Sequence, residues 1–133
     1  MIVVDSSVWV DYFTGRSTPE ADELHSLLGQ ELVAIGDLIL TEVLQGFKTD
    51  KDFHKARKLL LSLSVVNMLD TRIALKSAEN FRSLRKKGVT VRKTIDSIIA
   101  TWCIENRSPL LHSDKDFQPF HEHLNLENAF NGV

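Results

Sequence analysis

The 133-residue chain has a single cysteine, Cys103, so no internal disulfide can form and a reducing compartment suits it. It also lacks an apolar run able to span a bilayer. Its most apolar stretch, Leu59 to Leu69, is short and broken by Ser62, Ser64 and Asn67. The opening residues read as a strand, without the basic n-region or cleavage pattern of a secretory leader, and the expectation is a soluble cytoplasmic protein. Zinc-like spacing is missing too: the five histidines are scattered, and His121-x-His123, with no companion ligands, is expected at the surface. There is no glycine-rich phosphate loop and no nucleophile elbow. Cys103 falls on the inward side of a helix and reads as core. A net charge of −2 gives no chain-wide signal for a polyanionic partner. Repeats, low-complexity tracts and linkers are absent, so one domain over residues 1–133 is expected.

What is present is an ordinary globular composition, 43% hydrophobic and 26% charged, arranged as alternating strands and helices. Ile2 to Asp5 reads as a short buried strand, and Leu32 to Ile35, Ser64 to Met68 and Pro109 to Leu111 as the second, third and fourth strands. Between them lie helical segments. Thr18-Pro19 is a helix start, with a capping hydroxyl followed by a residue that needs no donor. Asp70 or Thr71 caps a long helix with Ile73, Ala74, Ala78, Phe81 and Leu84 inward. Thr94 caps another, whose Ile95, Ile98, Ile99 and Trp102 form an apolar stripe at helical spacing. A short helix and an edge strand around Leu124 to Leu126 close the chain. Trp9, Tyr12 and Phe13 make an aromatic face read mainly as core. This order predicts an α/β three-layer sandwich: a central, mostly parallel sheet of four to five strands with helices on both faces.

Four acids fall where such a chain turns the same corner. Asp5 closes the first strand, Glu42 and Asp96 lie in early turns of apolar helices, and Asp114 follows Leu110-Leu111. In a parallel sheet, strand carboxyl ends and the starts of the following helices share the ligand-binding edge. Singly, Asp5 could be a helix cap, Asp96 a partner of the helix dipole and Asp114 a turn residue. Glu42, in the run Leu38 to Leu44, is harder to explain without a partner. Two carboxylates roughly 4 Å apart repel by about 4 kcal/mol at an effective dielectric near 20. A gathered quartet therefore calls for a proton or a hard cation such as Mg²⁺ or Mn²⁺. A basic stretch lies beside Asp96, containing Arg82, Arg85, Lys86, Lys87, Arg92 and Lys93 with no acid among them. Arg85 to Lys87 suit a helix C-terminus. Arg92 and Lys93 precede a helix, where cations are better placed to meet a polyanion than to stabilise the fold. A basic rim around an acidic centre fits a nuclease.

Four blocks carry a resemblance: Val4-Asp5-Ser6-Ser7-Val8-Trp9, Leu40-Thr41-Glu42-Val43-Leu44, Arg92-Lys93-Thr94-Ile95-Asp96-Ser97-Ile98-Ile99-Ala100 and Leu110-Leu111-His112-Ser113-Asp114-Lys115-Asp116-Phe117. Together, in this order, they resemble the PIN domain of VapC-type toxins. The resemblance implies Mg²⁺- or Mn²⁺-dependent endonucleolytic cleavage of structured RNA, a cognate VapB-like antitoxin covering the acidic pocket, and a toxin homodimer. It maps the metal-binding acids onto Asp5, Glu42, Asp96 and Asp114, an additional acid onto Asp116, and a small hydroxyl position onto Ser6 or Ser7. Arg85, Lys86, Arg92 and Lys93 are expected to hold the RNA backbone. His112 stands where many of the family carry threonine. The alternatives are a cleavage-inert PIN module that binds RNA or a protein partner, a receiver-like phosphoacceptor and a phosphatase. Ser6-Ser7 argues against the phosphoacceptor, which wants adjacent acids after the first strand. The missing acid two positions beyond Asp5 argues against the phosphatase.

Overall fold

The computed structural model describes residues 1–30 and 32–130; Glu31 and positions 131–133 of the expected domain lie outside the described residues. The elements run β1 (Ile2–Val4), α1 (Ser6–Thr14), α2 (Pro19–Leu27), β2 (Val33–Gly36), α3 (Asp37–Gln45), α4 (Asp50–Leu61), β3 (Ser64–Val66), α5 (Thr71–Lys86), α6 (Thr94–Glu105), β4 (Leu110–Leu111), a 3-10 turn (Lys115–Phe117) and α7 (Gln118–Leu124). None of these helices is long and apolar enough to cross a membrane.

The four strands form one sheet in the order β3-β2-β1-β4, and every pairing is parallel. Parallel neighbours need crossover connections, and these are right-handed in nearly all proteins. Moving from β1 to β2 to β3 steps across the sheet in one direction, which puts α1 to α4 on one face. The return from β3 to β4 passes over the whole sheet and puts α5 and α6 on the other. Strand order reverses beside β1, so the crevice at the carboxyl ends of β1 and β4 is the switch point where such folds bind ligands. Val4 pairs with Leu111, and the Asp5 amide donates to the Leu111 carbonyl at 2.9 Å. Val3, Val4, Leu110 and Leu111 have no exposed surface, as strands covered on both faces require.

Local sequence explains most boundaries. Asp5, Thr18, Thr49 and Asp70 each accept a hydrogen bond from an amide of the following first turn. α1 stops at Gly15, whose φ of 73° is a left-handed cap that a side chain would disfavour. The cap of α6 differs from the expected one: Lys93 occupies the N-cap position without a side-chain bond, and Thr94 is the first helical residue.

Two expected helix faces are rotated. α5 buries Ile73, Ser77, Asn80 and Leu84, while Ala74 and Ala78 are exposed and Phe81 is half-buried. α6 buries Asp96, Ser97, Ile99, Ala100, Thr101 and Cys103, and Ile95 of the expected stripe is 40% exposed. Small polar side chains take the contact between them. The Ser77 and Ser97 hydroxyls lie 3.1 Å apart, and Asn80 Nδ2 donates to Thr101 Oγ1 at 3.0 Å. The edge strand expected at Leu124 to Leu126 is also corrected. α7 runs through Leu124, Asn125 turns the chain at φ 63°, and a lone bridge joins Asn128 to Leu110.

The buried Asn80–Thr101 pair gives a stability test. Asn80→Ala removes the donor and leaves the Thr101 hydroxyl buried without its partner, at a cost of about 1–3 kcal/mol. The double change Asn80→Leu with Thr101→Val replaces both polar groups and should recover most of that loss in urea unfolding.

Candidate active site

Asp5 is the first residue past β1. It caps α1 through Oδ2, which accepts the Ser7 amide at 3.1 Å and the Ser7 hydroxyl at 2.7 Å. The same Ser7 oxygen accepts the Ser113 amide at 3.2 Å and so ties the end of β1 to the loop after β4. In that loop Asp114 Oδ1 accepts the Asp116 amide at 2.9 Å and caps the 3-10 turn. Asp96 enters from the first turn of α6, buried to 5% exposure, and Glu42 from the middle of α3, half-buried.

Asp96, Asp114 and Asp116 each offer a carboxylate oxygen, and these atoms all lie within 4.8 Å of one another. Asp5 and Glu42 are outside that group, and their charges act on Asp96. Burial, followed by the Asp5 charge, pushes Asp96 up to about 7. Burial raises Glu42 and Asp5 adds to the effect, while Lys93 and the Ser6 hydroxyl oppose it. Asp5 is itself raised, mainly by burial, against the bonds from Ser7. Asp96 Oδ2 and Glu42 Oε1 are buried with no hydrogen-bond partner among the described residues.

That last observation tests whether a cation fits. Opposed ligands of a Mg²⁺ ion stand about 4.2 Å apart, twice the usual 2.1 Å bond. Three hard carboxylate oxygens within 4.8 Å of one another, with an Asp96 and a Glu42 oxygen left unpartnered, fit such an ion.

The basic residues divide. Lys93 acts on both Glu42 and Asp96 from the mouth of the site. Arg92 donates to Asp116 Oδ1 at 3.0 Å and remains mostly exposed. Arg85 packs over the Phe81 ring at 5.6 Å in the last turn of α5, where Lys86 is exposed. Cys103 is buried, and its thiol is pushed up by that burial.

One feature had no signal in the sequence. His121, expected at the surface, is half-buried with its Nε2 at 2.8 Å from His112 Nε2, and His112 Nδ1 accepts the Asp114 amide at 3.2 Å. Burial and the His121 ring hold His112 down at about 4, so it stays neutral near physiological pH.

A parallel sheet here presents a carboxylate group that could hold a metal ion at its switch point, the edge where such folds bind ligands. The PIN domain model matches residues 2–121, and the chain belongs to the PIN domain family. It is similar to Ribonuclease VapC11 of Mycobacterium tuberculosis, 31% identical over 131 residues that make up 97% of this chain and 98% of the relative. In structure it resembles a chain of VapBC2 from Rickettsia felis bound to a DNA fragment from its promoter, at TM-score 0.73 and 20% identity, covering 96% of this chain and 97% of that one. A toxin–antitoxin complex from Klebsiella pneumoniae matches at TM-score 0.70 and 21% identity, over 88% and 90% of the two chains.

The raised carboxyls set a pH signature. An acid held above its unfolded value stabilises the fold below the unfolded pKa, and that contribution is lost as pH rises through the folded pKa. For Asp96 the window runs from the ordinary carboxylate range to about 7, and Asp5 and Glu42 act in the same direction. In chelator, wild-type stability should therefore fall as pH rises across this window. Asp96→Asn should be more stable than wild type at pH 8 by about 1–3 kcal/mol, with the difference vanishing at about pH 4. Thermal unfolding at both pH values measures it.

Proposed function

We propose that the chain is a divalent-metal-dependent endoribonuclease, the toxin half of a toxin–antitoxin pair. The single observation carrying this reading is the group of Asp96, Asp114 and Asp116 carboxylates within 4.8 Å of one another, beside buried Asp96 and Glu42 oxygens that have no partner. Kinship with a VapC ribonuclease along nearly the full length of both chains supports RNA as the substrate.

Asp96, Asp114 and Asp116, with Asp5, would hold Mg²⁺ or Mn²⁺. When bound, such an ion supplies Lewis-acid stabilisation of the phosphate oxygens and lowers the pKa of a coordinated water. Asp5 can serve only in a fixed orientation, and the two bonds from Ser7 provide it. Glu42 Oε1 is free to accept a hydrogen bond from an attacking water and to take its proton, and its raised pKa brings the carboxyl closer to working pH. Lys93, at the mouth, lies where a backbone phosphate would pass. Arg92 neutralises Asp116 in the free chain and can turn outward to a neighbouring phosphate, because the pair is exposed and weakly held. Arg85 and Lys86 would extend this basic rim along α5.

The antitoxin reading draws on solved structures of the same fold, a toxin–antitoxin complex and VapBC2. A basic side chain from a VapB-like partner inserted among the carboxylates would replace the cation electrostatically and shut the site. A homodimer of the toxin chain belongs to the same reading.

Asp5→Asn separates chemistry from fold. The amide oxygen still accepts from Ser7, so α1 keeps its cap and the melting temperature should stay near that of wild type. RNA cleavage should fall by about 10²-fold or more, the scale of losing one preorganised electrostatic group. Cleavage by the wild type should stop in EDTA and return with Mn²⁺ or Mg²⁺. An Asp5→Asn protein cutting RNA at the wild-type rate would refute the assignment.

A further inference from the structure

β4 is two residues long, and within the next five the chain must aim Asp114 and Asp116 into the site with only a short 3-10 turn for support. The amides there are spent on side chains and on the turn. Ser113 N–H goes to Ser7, Asp116 N–H to the Asp114 carboxylate and Phe117 N–H to the Asp114 carbonyl. The Asp114 amide alone goes to an imidazole, His112 Nδ1 at 3.2 Å.

That contact fixes a tautomer. An N–H pointing at Nδ1 requires a bare nitrogen there, so neutral His112 carries its proton on Nε2. His112 Nε2 faces His121 Nε2 at 2.8 Å, so His121 must accept at Nε2 and carry its own proton on Nδ1. His121 Nδ1 meets the Leu126 carbonyl at 2.7 Å, an acceptor that can only receive that proton. One assignment satisfies all three contacts, and every hydrogen bond in it runs the same way, from the Asp114 amide through two rings to Leu126. The ring centroids lie 5.0 Å apart with planes 19° from parallel, so the two imidazoles meet edge to edge through their Nε2 atoms, and Phe117 packs on His112 at 4.9 Å. The far end is anchored too. Just past Leu126, the Leu110 amide donates to the Glu127 carbonyl at 3.0 Å and the Ala129 amide to the Leu110 carbonyl at 3.1 Å, so the closing segment is docked on β4 itself.

We infer that His112 and His121 are positioning residues of the nuclease site: their relayed hydrogen bonds lash the Asp114–Asp116 loop to the closing segment at Leu126 and hold the Asp114 carboxylate in its place. Neither ring meets the substrate or the ion; they act through the Asp114 backbone. This rests on the metal-site reading given above. His121 is the more informative side to change, since it is nine residues from His112 and touches none of the carboxylates directly.

The test begins with the metal-free wild type. Histidine-selective ¹⁵N NMR, with signals assigned by their loss in His112→Phe and His121→Phe, should find His112 as the Nε2–H tautomer and His121 as the rarer Nδ1–H tautomer. An Nε2–H tautomer at His121 overturns the relay without any reference to activity. Mn²⁺ titration by calorimetry then reads the consequence. His121→Phe keeps an aromatic ring in the space but removes both hydrogen bonds, and should weaken Mn²⁺ binding about ten-fold, the lower end for loss of a group that orients a metal ligand. His121→Gln, whose amide oxygen can still accept from His112, should recover part of that loss. Wild-type Mn²⁺ affinity in a folded His121→Phe protein overturns the inference. A wild type that binds no Mn²⁺ at all, yet shows both tautomers, instead sinks the metal-site reading and with it the purpose assigned to the relay.

Discussion

Mutual repulsion among carboxylates at the β1–β4 crevice is the constraint around which this chain is organised. Asp5 and Asp114 leave adjacent parallel strands at the same edge, and Asp96 and Glu42 enter from helices on opposite faces of the sheet. Bringing them together costs several kcal/mol at any plausible interior dielectric. The cost is borne by parts of the molecule that have no other option. β1 and β4 are only a few residues long, but Val3, Val4, Leu110 and Leu111 are fully buried, so a slip in register would expose valine and leucine. The upward displacement of Asp5, Glu42 and Asp96 comes first from burial, and the neighbouring carboxylates add to it.

The acids also do structural work, which explains how so polar a cluster survives at the end of a hydrophobic sheet. Asp5 uses one oxygen to cap α1 and Asp114 uses one to cap the following turn, so each stiffens its own backbone. Ser7 joins these two local devices into one, donating to Asp5 and accepting from Ser113. The helix-cap reading and the ligand reading of Asp5 are therefore not rivals. A carboxylate has two oxygens and can satisfy an amide with one while presenting the other.

Sequence made the acid quartet legible because its signals are local: a short apolar run ending in Asp5, a glutamate in the otherwise apolar run Leu38 to Leu44, an aspartate in a helix's first turn. Topology then does the gathering, and alternating strands and helices suffice to state it. The faces of α5 and α6 were not legible in this way. Hydrophobic periodicity assigns Ala74, Ala78, Phe81 and Ile95 inward, but the closest approach of two helices favours small side chains, and Ser77, Asn80, Ser97 and Thr101 satisfy one another there. Apolar pattern reports burial against apolar neighbours and has no way to register polar groups that pair across helices. His121 escaped for the same reason. Its partner is nine positions away on the far side of a turn, and isolated histidines carry no spacing signal.

The described structure also ranks the acids by how firmly they are held. Asp5 is fixed by strand pairing on one side and a helix cap on the other, and Asp96 by its place on a buried helix face. Asp116 is different: it follows an exposed lysine in a 3-10 turn, and its side chain is matched with the mostly exposed Arg92. An exposed ion pair of this kind is worth little in water and is easily exchanged. A site that must accept a large polyanion and later release it benefits from such a division. Asp116 and its arginine can change partners as charge arrives, while the more firmly held carboxylates stay where the backbone fixes them.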